Sequence, residues 1–298
     1  MSSFFAYESI RKTGVAAMLV GAFFAGGSSA ALAQSAGKIP ELMLPGDSAW
    51  TPLTVNGGIA RYGTGWFDPP KGMRGPIHQD PDYPLRGNET RRPTPALGNW
   101  KDPILKPWAA QQMRASNEEL LSGKTRFPFL AQSQCWPGGV PGQLLWTSEP
   151  TYFIQKPKEV WMIWQRDQWV RHIFLTDQHS EVVKPSWFGE SIGHYDNGEL
   201  VVDTIGIANN KNSYLDMFRT PHTDKLHVVE HFKVTPDKKF LEALVKIEDD
   251  GALNEPMYAT KRWRQDHHQW EDSICAENNI DPFDSNLVPP PEAKQPDF

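Results

Sequence analysis

The chain has 298 residues, 39% hydrophobic and 22% charged, with a formal net charge of −6. That length suits one large domain or two small ones, with enough apolar material for a core. An acidic chain without a basic stripe argues against nucleic acid as a partner.

Residues 1–33 read as an export signal. Arg11 and Lys12 form a basic start, Val15 to Ala25 is an apolar run too short to span a bilayer, and Ala31-Leu32-Ala33 offers a small-residue cleavage site before Gln34. The basic pair is Arg-Lys, so a twin-arginine signal is weakly supported. The leader carries +1, so its removal leaves the mature chain one unit more acidic than −6. No later stretch is apolar enough for an integral membrane span, and the expected location is the periplasm or the medium.

Residues 34–145 are rich in Pro, Gly and Trp, with pieces such as GWFDPP and RRPTPALGNW. Turns dominate there. Leaving so many aromatics in water would be costly, so this segment is expected to wrap over the rest of the protein. One helix is expected within it, with Pro107 in the first turn, WAAQQMRASNEELL as the body and Gly123 at the stop.

Residues 146–278 change character. YFIQ, EVWMIWQ, QWVRHIFLT, SIGHYD, ELVVDT, KLHVVEHFKVT, KFLEALVKIE and PMYATKRW follow one another, rich in β-branched and aromatic residues and separated by turn residues. The pattern predicts a mainly β protein, an antiparallel meander closed into a barrel or strongly curved sheet, lipocalin-like in outline, because closure removes exposed edges. Residues 279–298 read as an irregular or disordered tail. Cys135 and Cys275 are the two cysteines, and in an oxidising compartment they are most simply one disulfide. Twelve Trp are unusually many; core and loop packing is the plain reading and an aromatic-lined ligand site the sharper one, with Trp161 and Trp164 as its candidates.

Gly189-Glu190-Ser191-Ile192-Gly193 spells the G-x-S-x-G of a nucleophile elbow, which needs a strand before the serine and a helix after it. Here Asn197-Gly198 signals a hairpin instead, so Ser191 is expected on a strand. A two-residue turn at Asn197-Gly198 sets Ile192 opposite Asp203 and His194 opposite Val201, which makes His194 and Asp203 diagonal neighbours on one face. A carboxylate there would orient the imidazole and raise its basicity; the plainer alternative is a solvated polar face.

Glu230 falls by alternation among Leu226, Val228, Phe232 and Val234. An inward carboxylate is costly unless paired or neutral. Its options are an ion pair with an inward arginine, Arg171 or Arg262, or service as an acid–base group or ligand anchor. The long connection IGIANNKNSYLDMFRTPHTD carries Asn209, Asn210, Asp216 and His222, polar groups able to cap a barrel mouth. His179, His194, His222, His227 and His231 lack metal-ligand spacing, so no metal or other cofactor is expected.

These strings resemble a large family of exported bacterial proteins of mostly uncharacterised function. The carriers are Trp187, Gly189, Ser191-Ile192-Gly193, Leu200-Val201-Val202-Asp203-Thr204, Gly206, Pro221-His222-Thr223 and Leu226-His227-Val228-Val229-Glu230. Cys135 with Pro137-Gly138-Gly139-Val140-Pro141, and Cys275-Ala276-Glu277-Asn278-Asn279, match its flanking steps. The likeness covers about 135 to 280. Tyr195 stands at a usual Trp, Ile207-Ala208 interrupts a G-F-N step, and His231 replaces the Arg after Glu230. The resemblance implies the fold boundaries and supports the disulfide, and carries no activity to transfer.

The leading expectation is an exported barrel that takes a small apolar or aromatic molecule, with Glu230, His194 and Asp203 as candidates for acid–base chemistry of isomerase, dehydratase or lyase type. The other classes are an envelope interaction module that holds a partner through exposed aromatics and, less favoured, a serine hydrolase.

Overall fold

The computed structural model describes residues 39–46, 48–53, 68–84, 97–122, 131, 135–146, 150–210, 213–267 and 270–275. The export signal, the tail at 279–298 and Gly123 lie outside the described residues. Nine strands close into a barrel in chain order. They are β1 (Ser48–Pro52), β2 (Thr151–Gln155), β3 (Glu159–Trp164), β4 (Val170–Leu175), β5 (Glu190–Asp196), β6 (Glu199–Ile205), β7 (His227–Val234), β8 (Phe240–Glu248) and β9 (Met257–His267).

The mainly β barrel expected from the strand pattern is present, with three differences of detail. First, β1 comes from the Pro/Trp-rich segment. It runs against β9 from Ser48↔His267 to Pro52↔Trp263 and meets β2 at Trp50↔Thr151. The segment therefore supplies the strand that closes the barrel. Second, a short helix α2 (Gly142–Trp146) follows the expected helix α1 (Pro107–Leu121). In α1, Pro107 occupies the first turn, where its missing N–H costs nothing, and Ala109, Met113, Asn117 and Leu120 form the buried stripe.

Third, β4 and β5 run parallel, paired at Ile173↔Ser191, Phe174↔Ile192 and Leu175↔Gly193, while every other neighbouring pair is antiparallel. Parallel strands need a crossover of a dozen or more residues. Residues 176–189 supply it, running back along the barrel without a helix. Inward-facing Gly193 keeps the seam close: a Cβ there would stand 2.9 Å from the Val201 carbonyl oxygen and 3.0 Å from Ile173 Cγ2.

The β5–β6 hairpin has the expected register, Ile192↔Asp203, His194↔Val201 and Asp196↔Glu199. Asn197 (φ 47°) and Gly198 (φ 85°) both take positive φ, the geometry of a tight turn whose twist matches the strands. The barrel interior is filled rather than hollow. Trp50, Trp164, Trp263 and Phe232 are fully buried in it, and rings of this kind each withdraw about 150–250 Å² from water. Cys135 and Cys275 form a disulfide with Cα atoms 5.4 Å apart, tying the segment before α2 to the chain beyond β9.

Candidate functional site

Inside the barrel, alternation turns Arg171 of β4, Ser191 of β5, Thr204 of β6 and Glu230 of β7 toward one another. Arg171 Nη1 donates to Glu230 Oε1 at 2.9 Å, and Nη2 donates to Oε2. Arg171 Nε donates to Ser191 Oγ at 3.0 Å and Nη2 to Thr204 Oγ1 at 2.8 Å, and the two hydroxyls are 3.0 Å apart. Four of the five guanidinium N–H groups are thus used within the barrel. Arg171 and Glu230 are 1% and 0% exposed, so the carboxylate that alternation placed inward is matched by one of the two arginines expected for it. Arg262, the other, points outward to Glu242 at 3.2 Å and lies over the Phe240 ring.

Among the described residues no imidazole stands beside Ser191; its hydroxyl accepts from a guanidinium within a strand. The G-x-S-x-G string is therefore strand sequence here, as the hairpin signal required. A different serine–histidine pair exists in the connection between β6 and β7. Ser213 Oγ donates to His222 Nε2 at 2.6 Å, and His222 Nδ1 donates to the Thr223 carbonyl at 2.9 Å. Burial lowers the His222 pKa, which favours the neutral ring that this pattern needs. Both side chains are buried and neither lines the clefts described below, so the pair clamps the connection.

Asp216 is a second clamp: its carboxylate accepts from Phe218 N (2.9 Å), Thr220 N (3.1 Å) and Thr220 Oγ1 (2.7 Å). Burial nevertheless pushes its pKa up to about 6, outweighing those hydrogen bonds. Asn210 is exposed, and its carbonyl accepts from Ser213 N. These three residues, expected to cap a ligand-bearing mouth, hold the connection together instead.

On the outer face, Asp203 does not meet His194. His194 is exposed, and its side chain makes no hydrogen bond or ion pair among the described residues. The hairpin fixes the face they share, but both Asp203 oxygens are taken by other imidazoles. His179 Nε2 donates to Oδ1 and His227 Nε2 to Oδ2, each at 2.9 Å. His179 comes from the crossover and His227 from β7, on the side of β6 away from His194.

The chain of contacts continues at both ends. His179 Nδ1 lies 3.0 Å from Glu190 Oε1, and Ser180 donates to Glu190 through its N–H (2.8 Å) and its hydroxyl (2.6 Å). His227 Nδ1 stands 3.4 Å from Glu248 Oε2. Glu190, His179, Asp203, His227 and Glu248 therefore alternate acid and base across the crossover and four strands. The Asp203 hydrogen bond raises the His227 pKa against the opposing effect of burial. Burial pushes Asp203 up, but hydrogen bonds from His227 and His179 win and hold it below the usual carboxylate value. The Ser180 hydroxyl and N–H hold Glu190 low.

This chain borders a cleft of about 450 Å³ lined by residues of β4, β5 and the crossover. Val170, His172 and Phe174 of β4 form one wall, and Val182, Lys184, Ser186 and Phe188 of the crossover form the other. Arg171 and Ser191 lie at its floor and Glu190 is in its lining. Val170, Phe174 and Val182 are 37%, 47% and 78% exposed. The two tryptophans proposed as ligand contacts support this cleft without lining it. Trp164, inside the barrel, stacks on Phe188 at 5.7 Å, and Trp161, outside, packs on His172 at 4.9 Å.

A larger cleft of about 610 Å³ lies between Asp68–Pro70 and the outer faces of β6–β9. Glu199 pairs there with His231 and Lys233, and Glu242 with Arg262, while buried Lys261, its pKa pushed down to about 8 by burial, also lines the cleft. Among the described residues no group of three or more His, Cys, Asp or Glu side chains is placed to hold a metal ion, and no helix is long and apolar enough to cross a membrane. Comparison of the chain with family models, curated proteins and solved structures finds no match. Function is therefore read from geometry.

Proposed function

We propose that the protein is exported and binds a small aromatic or apolar molecule in the cleft at the β4–β5 seam. The observation that carries this reading is the gathering of exposed Val170, Phe174 and Val182 around that opening, backed by Phe188 on buried Trp164. Apolar side chains left in water around a concave, partly polar opening are the usual mark of a ligand site. The filled interior and the bidentate Arg171–Glu230 pair move the proposed site from the barrel lumen to the seam. The disulfide supports export, since such bonds persist in oxidising compartments.

Glu190 is the group through which this site would exchange protons with a bound molecule, since it lines the cleft and is hydrogen-bonded to His179. Candidate acid–base roles thus pass from Glu230 and His194 to Glu190, with Asp203 retained behind it as the partner of His179. Titration with 1-anilinonaphthalene-8-sulfonate, indole and p-cresol tests the reading. Saturable binding is expected for at least one probe, weakened about tenfold, or ~1.4 kcal/mol, by combined Val170→Asp and Phe174→Ser. These are surface positions, so folding should survive. Absence of saturable binding, or binding untouched by the double substitution, would overturn it.

A further inference from the structure

We infer that the crossover 176–189 is a pH-released wall of the seam cleft, latched to the barrel through His179 and Asp203. The consequence for ligand entry rests on the cleft reading above; the latch itself does not. Hydrogen bonds fasten the crossover at two places, with Val183 packed against Gly206 between them and Trp187 and Phe188 on Trp136 and Trp164 at its end. At its far end Ser186 N donates to the Gly206 carbonyl (3.1 Å), and Ala208 N to the Ser186 carbonyl (2.7 Å). Near its start, His179 and Ser180 grip Glu190, and His179 also grips Asp203. Residues 181, 182, 184 and 185 between these attachments are exposed, and the wall residue Val182 is among them.

The second attachment depends on protonation. A protonated imidazole has two N–H donors and satisfies both carboxylates. A neutral ring has one, so its other nitrogen must face a carboxylate oxygen with a lone pair. His227 is placed in the same way between Asp203 and Glu248. Groups facing the latch are Glu190 on β5, Asp203 on β6, His227 on β7, and Glu248 with its partner Lys246 on β8. Asp177 and Glu181 flank His179 on the crossover itself. With both rings charged, the run from Glu190 to Glu248 carries three carboxylates and two cations. With both neutral, the carboxylates face each other with no cation between them.

His227 holds Asp203 from β7 and does not touch the crossover, so its raised pKa bears on β6–β8 and leaves the latch itself to the ring of His179. Asp203 and Glu190 are lowered, so their contributions are complete above about 4.5 and are lost as pH falls through their folded values. Both carboxylates of the latch are therefore ionised above about pH 4.5, and the latch loosens with rising pH as the ring between them passes from two N–H donors to one.

Hydrogen exchange of the ligand-free protein tests this, comparing pH 5.5 with 8.5 after correction for intrinsic exchange. Protection of amides at 178–184 is expected to fall about tenfold or more at pH 8.5, with β2 and β3, which touch neither His179 nor His227, unchanged. His179→Gln should show the low protection already at pH 5.5 and lose the pH dependence. His231→Gln, on the separate Glu199 pair, should keep it. Equal wild-type protection at both pH values, or pH dependence persisting in His179→Gln, overturns the latch. Association of 1-anilinonaphthalene-8-sulfonate should quicken with pH in the wild type and not in His179→Gln. Exchange that behaves as expected with no dye binding would leave the latch standing and remove the cleft reading.

Discussion

Replacing Glu230 by glutamine separates a structural counter-ion from a proton-transfer group. The substitution keeps the volume but removes the charge and turns one acceptor into an N–H₂ donor. That amide would face an Arg171 N–H at the place where Oε1 or Oε2 accepts now. The guanidinium is 1% exposed and cannot recover the loss from water. Breaking a buried pair in this way costs about 3–5 kcal/mol, roughly a fifth or more of a typical domain's stability. Urea unfolding followed by circular dichroism reads this directly. The double replacement Arg171→Met with Glu230→Leu should recover most of the loss, since it removes both charges and leaves Ser191 and Thr204 bonded to each other at 3.0 Å. A Glu230→Gln protein destabilised by less than about 1 kcal/mol would refute the reasoning, as would a double variant no more stable than the single.

Other outcomes follow from the same geometry. The raised pKa of Asp216, about 6, makes a contribution that is complete below its unfolded value and is lost as pH rises through 6. The stability difference between wild type and Asp216→Asn should therefore favour wild type more at pH 5 than at pH 7 by about 1 kcal/mol; a pH-independent difference in urea unfolding would contradict this. Reduction of Cys135–Cys275, which are 140 residues apart, should lower stability by up to about 5 kcal/mol, and an unchanged urea midpoint in dithiothreitol would show that the bridge constrains little. A fluorophosphonate probe should label neither Ser191, bonded to Arg171, nor buried Ser213; adduct mass on either peptide would restore a serine mechanism.

The residues read most directly were those whose neighbours are fixed by short-range geometry. Asn197-Gly198 sets the register of β5 and β6, and alternation alone turns both Arg171 and Glu230 inward. Strand β1 was hidden because SAWTP is five residues with a proline in a turn-rich segment, and its main partner β9 lies two hundred residues away. The parallel seam was missed because alternation carries no direction. The signal was there in the residues between Leu175 and Glu190, too many for a hairpin turn and enough for a crossover.

His179 could not be placed by periodicity, since it lies on an irregular connection and its partners come from β5 and β6. His194 shows the converse. A hairpin register identifies the face two residues share, but not which neighbour wins the hydrogen bonds when a third element reaches the same carboxylate. Trp161 and Trp164 are three apart on a strand, which puts them on opposite faces, so one contacts His172 and the other Phe188.

The central claim is where a small molecule sits, and methyl NMR of valine-labelled protein titrated with indole tests it most directly. Binding at the seam predicts shifts of the Val170 and Val182 methyls, with Val202, Val228 and Val245 of the barrel interior unmoved. Shifts confined to those interior valines would place the ligand inside the barrel and contradict the account.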